Sequence, residues 1–237
     1  MFDAHSHLTA EALESSSGSA ISGVSVCSAV PLDWRAVLAL EHPDLAVFPS
    51  IGIHPWQAHL ASGKQFGLLE RLLEGSPRAG IGEVGLDGST RYRATLSLQL
   101  PVFARQLALA GEKRCVSLHC VGAWGPLLEE LRCCTPRRFV VHGCSASAEI
   151  VEEICALGGY ISIGPAVLRP NAKRVHESAR RTPLNRLLIE TDWRNGVGTA
   201  PATVLASVCT EVGRLRGCEE AIVAQATTAN ALRVIRP

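Results

Sequence analysis

Lysine is scarce in this chain: three residues of 237, against twenty arginines. Acids and bases nearly cancel, 22 against 23, for a net charge of +1. This excludes a protein that coats nucleic acid by bulk charge. Any grip on phosphate falls mainly to arginine, whose planar fork suits bidentate contacts. Long apolar runs are missing too. None approaches the roughly 18 residues of a membrane span, so no membrane partner is expected. The nine cysteines are odd in number and contain no CxxC, which argues against a disulfide framework, a zinc ribbon or a redox pair. The opening MFDAHSHL has no basic region followed by an apolar one, so a signal peptide is not expected and a cytoplasmic location is. No GxGxxG follows the first apolar run, which weakens a dinucleotide-binding reading. No Pro/Gly/Ser linker divides the chain, and residues 1–237 read as a single domain. SSSGS at 15–19 reads as a loop or a frayed helix end.

With 47% apolar residues the chain can bury a sizeable core. Short apolar or β-branched runs alternate with stretches of helical periodicity, the pattern of βα units. The runs at 2–8, 20–29, 45–55, 79–87, 114–120, 138–144, 159–167 and 186–193 predict eight strands. Helices are expected at 32–42, 64–74, 90–110, 123–134, 145–157, 171–180, 201–216 and 219–234. Eight such units in 237 residues predict an α/β fold, a single (β/α)8 TIM barrel, with an open doubly wound sheet as the alternative.

Interior barrel strands should be almost continuously apolar, yet five of these eight end in ionisable groups. The first carries Asp3, His5 and His7. The fourth ends with Glu83 and Asp87, the fifth with His119, the sixth with His142, and the eighth with Glu190 and Asp192. The C-terminal strand ends of such a barrel converge on one face, where active sites form. Burying these groups apart would cost several kcal/mol each; gathering them round a cation offsets that cost. His5 and His7, two apart on a strand, point to one face and can share an ion. Imidazole and carboxylate are standard ligands for zinc and similar metals. Asp3 shares that face and is placed to orient an imidazole, a role also open to Asp87 and Glu190. Cys120 and Cys144 lie in no recognisable nucleophilic arrangement and read as small strand-end residues.

The segments FDAHSHL, GIHPW, IGEVGLD, SLHC, VHGCSAS, ISIGPAV and LLIETD, in that order, resemble the TatD family of metal-dependent deoxyribonucleases, within the amidohydrolase superfamily, over nearly the whole chain. The resemblance implies two divalent cations, Mg²⁺, Mn²⁺ or Zn²⁺, at the top of the barrel. His5, His7 and Asp192 would hold the first, His119 and His142 the second, and Glu83 would bridge them. Such a pair can lower the pKa of a shared water and clamp both oxygens of a phosphodiester. Asp192, placed beside that water, is the best general base, so the catalytic residues are expected to be Asp192 and Glu83.

Around this set the family pattern changes. Cys120, Val121 and Gly122 follow the fifth-strand histidine, where the family carries a Ser-Arg-Asp type sequence. Gly88, Ser89, Thr90, Arg91 and Tyr92 follow GLD, and Trp193 and Arg194 follow ETD. Arg194 is a candidate for the missing positive charge. His54 in GIHPW, Trp56 and Trp193 as stacking aromatics, and Arg169 in the basic segment 169–186 complete the substrate-binding candidates. The leading reading is a metal-dependent hydrolase of DNA phosphodiesters, acting exonucleolytically on single-stranded ends or short DNA, with no obligate protein partner. The alternative keeps the metal cage for a carboxylic ester or amide, such as a misacylated tRNA ester. A third reading, a metal-holding barrel that only binds, is disfavoured by the intact ligand set.

Overall fold

The alternation of apolar runs and helical stretches folds into a barrel. The computed structural model describes residues 1–14, 20–194 and 199–236, and the SSSGS segment lies outside them. The strands are β1 (Phe2–Ser6), β2 (Gly23–Cys27), β3 (Ala46–Ile51), β4 (Gly80–Asp87), β5 (Val116–Val121), β6 (Phe139–Val141), β7 (Tyr160–Ile163) and β8 (Leu187–Ile189). Between and after them come α1 (Ala10–Glu14), α2 (Trp34–Leu38), α3 (Gly63–Glu74), α4 (Leu96–Ala110), α5 (Trp124–Cys133), α6 (Ala148–Ala156), α7 (Lys173–Arg181), α8 (Pro201–Arg216) and α9 (Glu220–Val234). Neighbouring strands pair in chain order, β1 through β8, all parallel. The seam between the first and last is joined at the top of the barrel. His5 O accepts from Asp192 N at 3.0 Å and Trp193 O from His7 N at 2.9 Å.

Two apolar layers hold the barrel. Val24, Ile51, Ile81, Leu118 and Ile189 face the helices and pack in one continuous cluster with Leu69, Leu107, Leu127 and Val151. Inside the barrel, Phe2, Ala4, Phe48, Val140 and Leu188 form a second cluster closed from below by Val234 and Ile235. Each such large side chain, fully buried, contributes roughly 1.5–3 kcal/mol. Period-2 alternation carries the inner face upward along β5, from Cys115 through Ser117 to His119, and along β6 from Val140 to His142.

On β1 and β4 the alternation is broken on purpose. The pairing register slips between Asp3 and Ser6 on β1, and between Ile81 and Val84 on β4. A one-residue slip turns every later side chain to the opposite face. Phe2, Ala4 and Gly80 therefore line the lower interior, while above the slips His5, His7 and Glu83 take their places there. Alternation along a single strand does not reveal these bulges, and the apolar runs extend beyond the strands they mark. His54, His142, Glu190 and Asp192 lie just past their strands. There the backbone leaves the ladder and is free to aim side chains at the barrel axis. Asp192 does so at φ 44°, a left-handed conformation uncommon for a residue with a Cβ and frequent at functional sites.

Candidate metal centre

The bulges and strand ends bring all six sequence-predicted ligands together. His5 Nε2 lies 3.5 Å and His7 Nε2 3.3 Å from Glu83 Oε2, and His7 Nε2 lies 3.5 Å from Asp192 Oδ1. These four atoms are buried and have no hydrogen-bond partner. Buried polar atoms are almost always paired, so four that face one another without partners fit a cation between them. The donor set, imidazole nitrogens with carboxylate oxygens, is that of a divalent transition metal. His5, His7 and Asp192 each offer a ligand atom within 4.8 Å of the others.

The other carboxylate oxygen of Glu83 faces a second group. Oε1 lies 2.6 Å from His142 Nε2 and 2.8 Å from His119 Nδ1, and those two nitrogens are 3.3 Å apart. Glu83 thus presents one oxygen to each group, the arrangement a bridging carboxylate needs. Burial would raise its pKa, but His142 and His119 outweigh burial and hold the carboxyl well below its ordinary range. Asp87 and Glu83 lift His119, and Glu83 and Glu190 lift His142, each against its own desolvation.

His54 also reaches Glu83 Oε1, at 3.1 Å. Its Nδ1 accepts the backbone N–H of Trp56 at 3.2 Å. In the neutral ring, favoured by burial, the proton then sits on Nε2. His54 donates to Glu83 in this arrangement.

Three of the four remaining imidazoles, those of His5, His7 and His119, are hydrogen-bonded at the far nitrogen, which fixes ring orientation and tautomer. His5 Nδ1 meets Ser117 Oγ at 2.9 Å, and His7 Nδ1 donates to Cys27 O at 2.9 Å. His119 Nε2 lies 3.3 Å from Asp87 Oδ2, and His142 Nδ1 3.5 Å from Glu190 Oε1. Asp87 is thus within hydrogen-bond reach of an imidazole, while Glu190 accepts the backbone N–H of Gly143 at 2.7 Å. Asp3 does not orient an imidazole. Its carboxylate accepts from Thr191 N at 2.9 Å and Thr191 Oγ1 at 2.6 Å, and burial pushes its pKa up to about 7. It anchors the chain leaving β8 and touches no imidazole ring, because the β1 slip lies between it and His5.

Behind the site, two glutamines of α4 hold the backbone. Gln99 accepts from Asp87 N at 2.7 Å and donates to Asp87 O at 3.1 Å. Gln106 does the same to Ile53, at 2.6 and 3.1 Å. Ser117 had a signal in the sequence, two residues before His119 on the same strand face. The glutamines had none, since only the folded contact separates them from surface residues.

At the rim, Trp56 donates its indole N–H to Asp87 Oδ2 at 2.6 Å and stacks on Tyr92, centroids 5.1 Å apart and 13° from parallel. The guanidinium of Arg194 sits 5.7 Å from the Trp56 ring, and that of Arg91 lies 5.2 Å from Tyr92. Arg194 Nε is also 3.8 Å from Asp192 Oδ1. Tyr92 was not among the sequence candidates. Trp193 lies apart from this array, packed on the core with its indole N–H donating to Thr199 O at 3.2 Å. Arg169 lines a separate cavity with His176 and Arg214. Arg186 precedes β8, at the far end of the barrel, and donates to Gly158 O. Burial pushes the Cys120 and Cys144 thiols up, the latter to about 11, so neither is a ready nucleophile.

Comparison with known proteins agrees with this geometry. The model of the TatD related DNases matches residues 2–236. An uncharacterized metal-dependent hydrolase of Bacillus subtilis (strain 168), YabD, is 28% identical over 255 residues, covering 100% of this chain and 99% of its own length. The 3'-5' ssDNA/RNA exonuclease TatD of Edwardsiella piscicida is 31% identical over 159 residues, covering 65% of this chain and 60% of its own. The crystal structure of YjjV, a TatD homolog from Escherichia coli K12, superimposes with a TM-score of 0.88 at 24% identity, over 99% of this chain and 97% of that one. Among the described residues no helix is long and apolar enough to cross a membrane.

Proposed function

The chain belongs to the family of TatD-related DNases and is a metal-dependent hydrolase of ester bonds, and we propose that its substrate is single-stranded or short DNA, cut at phosphodiesters from an end. In this reading His5, His7 and Asp192 would hold one divalent cation, His119 and His142 would hold a second, and Glu83 would offer one carboxylate oxygen to each. Cations held there supply Lewis acidity toward water and the phosphodiester. Asp192 accepts the proton of the attacking water. Burial disfavours its charge, but His7, His5 and His142 outweigh burial and hold its pKa down to about 2, so it is ionised at every working pH. Arg194, beside Asp192, meets the negative charge of the phosphodiester. Trp56 and Tyr92 give an unpaired base a flat partner at the rim, which favours a single strand over a duplex.

The observation that carries this reading is the convergence of four buried, partnerless ligand atoms on one point beside an exposed arginine. The test is cleavage of end-labelled single- and double-stranded DNA by protein stripped with a chelator and reloaded with Mn²⁺ or Mg²⁺. Cleavage should need the metal, favour the single strand, and vanish in Glu83→Ala. Equal cleavage by that variant would point to a contaminant. Turnover of a carboxylic ester with none of DNA would transfer the cage to the alternative substrate.

A further inference from the structure

Beside His7 lies a cavity of about 470 Å³ that none of the roles above uses. It falls within the usual size of a small-molecule site, roughly 300–1,000 Å³. His7 and Arg194 form one end of it, and Leu8, Val37 and Leu40 line its apolar sides. One carboxylate, that of Asp33, stands in the wall. A comparable cavity of about 460 Å³ opens near the starts of β3 and β4, but it shares no residue with the metal centre.

We propose that the cavity beside His7 holds the nucleobase of the nucleotide whose phosphate is at the metal centre. This rests on the DNA reading above and makes it more specific. His7 belongs to the metal centre and also lines the cavity, so the two compartments adjoin. Arg194 sits at the junction, 3.8 Å from Asp192 on one side and part of the cavity wall on the other. A guanidinium there suits a phosphate joining the two compartments. The lining asks for a flat body with apolar faces, and Asp33, whose Oδ2 accepts the Val30 N–H at 3.3 Å, has its other carboxylate oxygen to offer an N–H on the edge of that body. A base with an exocyclic amine, such as cytosine, supplies both.

The test is calorimetric. Deoxycytidine monophosphate and 2-deoxyribose 5-phosphate are titrated into the Mn²⁺-loaded protein, its Ala36→Phe variant and its Ala39→Phe variant. Both alanines line the cavity from α2 or its C-terminal end and are exposed, so the larger ring enters the cavity without disturbing the core. The nucleotide should bind the parent protein at least about tenfold more tightly than the sugar phosphate, as expected for burying a base. Either variant should erase that difference while leaving sugar phosphate affinity unchanged. Equal affinity for the two ligands in the parent protein, or unaltered nucleotide affinity in both variants, would overturn the proposal. DNA cleavage measured alongside separates the two readings. Cleavage without base-dependent binding sinks the cavity assignment alone, and base-dependent binding without cleavage sinks the nuclease assignment alone.

Discussion

Gln99 and Gln106 stand seven residues apart on one face of α4, and each clamps the backbone of a residue beside the metal centre through a pair of hydrogen bonds. Gln99 fixes Asp87, which orients His119, and Gln106 fixes Ile53, next to His54. Both side chains are buried. One helix, two turns apart, therefore sets the height of two neighbouring strand ends. Replacing Gln106 by Leu keeps the volume but strips the partners from Ile53 N–H and C=O. A buried amide left unsatisfied costs roughly 1–3 kcal/mol. Chemical denaturation should show a loss of that size in Gln106→Leu, whereas Gln225→Leu, at an exposed position on α9, should stay near the parent. A Gln106→Leu protein as stable as the parent would remove the clamp from the account.

Asp87 accepts from Trp56 and Ser89 and faces His119, contacts that outweigh its burial and hold its carboxyl far below the ordinary value. Loss of such an orienting carboxylate typically lowers metal affinity or activity about 10–100-fold. Asp87→Ala should therefore lower metal affinity in titrations followed by calorimetry, with cleavage falling in parallel. Asp87→Asn, which keeps an acceptor oxygen, should recover part of both. If Asp87→Ala binds metal as the parent does, His119 is held by its other contacts alone.

The eight-strand barrel and the convergence of its polar strand ends were legible because both depend on short-range pattern. Apolar runs mark the strands, and His5, Glu83, His119, His142 and Asp192 interrupt them where a core would reject charge. The β1 and β4 slips were not legible. Phe2 and Ala4 alternate as an inward pair should, and only pairing with β2 reveals that His5 and His7 occupy the inner face after an extra residue. Asp3, which lies before the slip, therefore meets Thr191 and no imidazole ring. Tyr92 is not legible either, because its partner, Trp56, is 36 positions away and nothing local distinguishes it from a loop tyrosine.

Protons and metal compete at His7. Burial opposes its charge, but Asp192 and Glu83 prevail and raise its pKa from 6.5 to about 9. The metal-free fold therefore binds this proton more tightly than the unfolded chain does. The resulting stability is fully present below about pH 6.5 and lost as pH rises through about 9. His119 and His142 are shifted upward as well and act in the same sense, while His5 and His54, shifted downward, act below that window. A bound cation needs neutral imidazoles, so its affinity should rise over the same range. Thermal unfolding with chelator should give a falling Tm between pH 6.5 and 9, and the Tm gain on adding Mn²⁺ should grow. A gain that is constant across those pH values would show that His7 is not where the cation binds.

Trp56 joins two roles, the hydrogen bond to Asp87 and the stack with Tyr92, and substitutions can separate them. Trp56→Phe keeps a ring but loses the N–H, and Tyr92→Ala keeps the N–H bond but removes the outer ring. If the pair holds an unpaired base, Tyr92→Ala should raise KM for single-stranded DNA with little change in kcat, because stacking contributes roughly 1–3 kcal/mol per base. Trp56→Phe should lower kcat as well, since Asp87 loses a donor and His119 loses part of its restraint. The discriminating measurement is the KM-against-kcat split on a single-stranded oligonucleotide, with Tyr92→Phe as the rescue. Should Tyr92→Ala lower kcat and leave KM unchanged, the aromatic pair would be a brace for Asp87, and base contact would have to be assigned elsewhere.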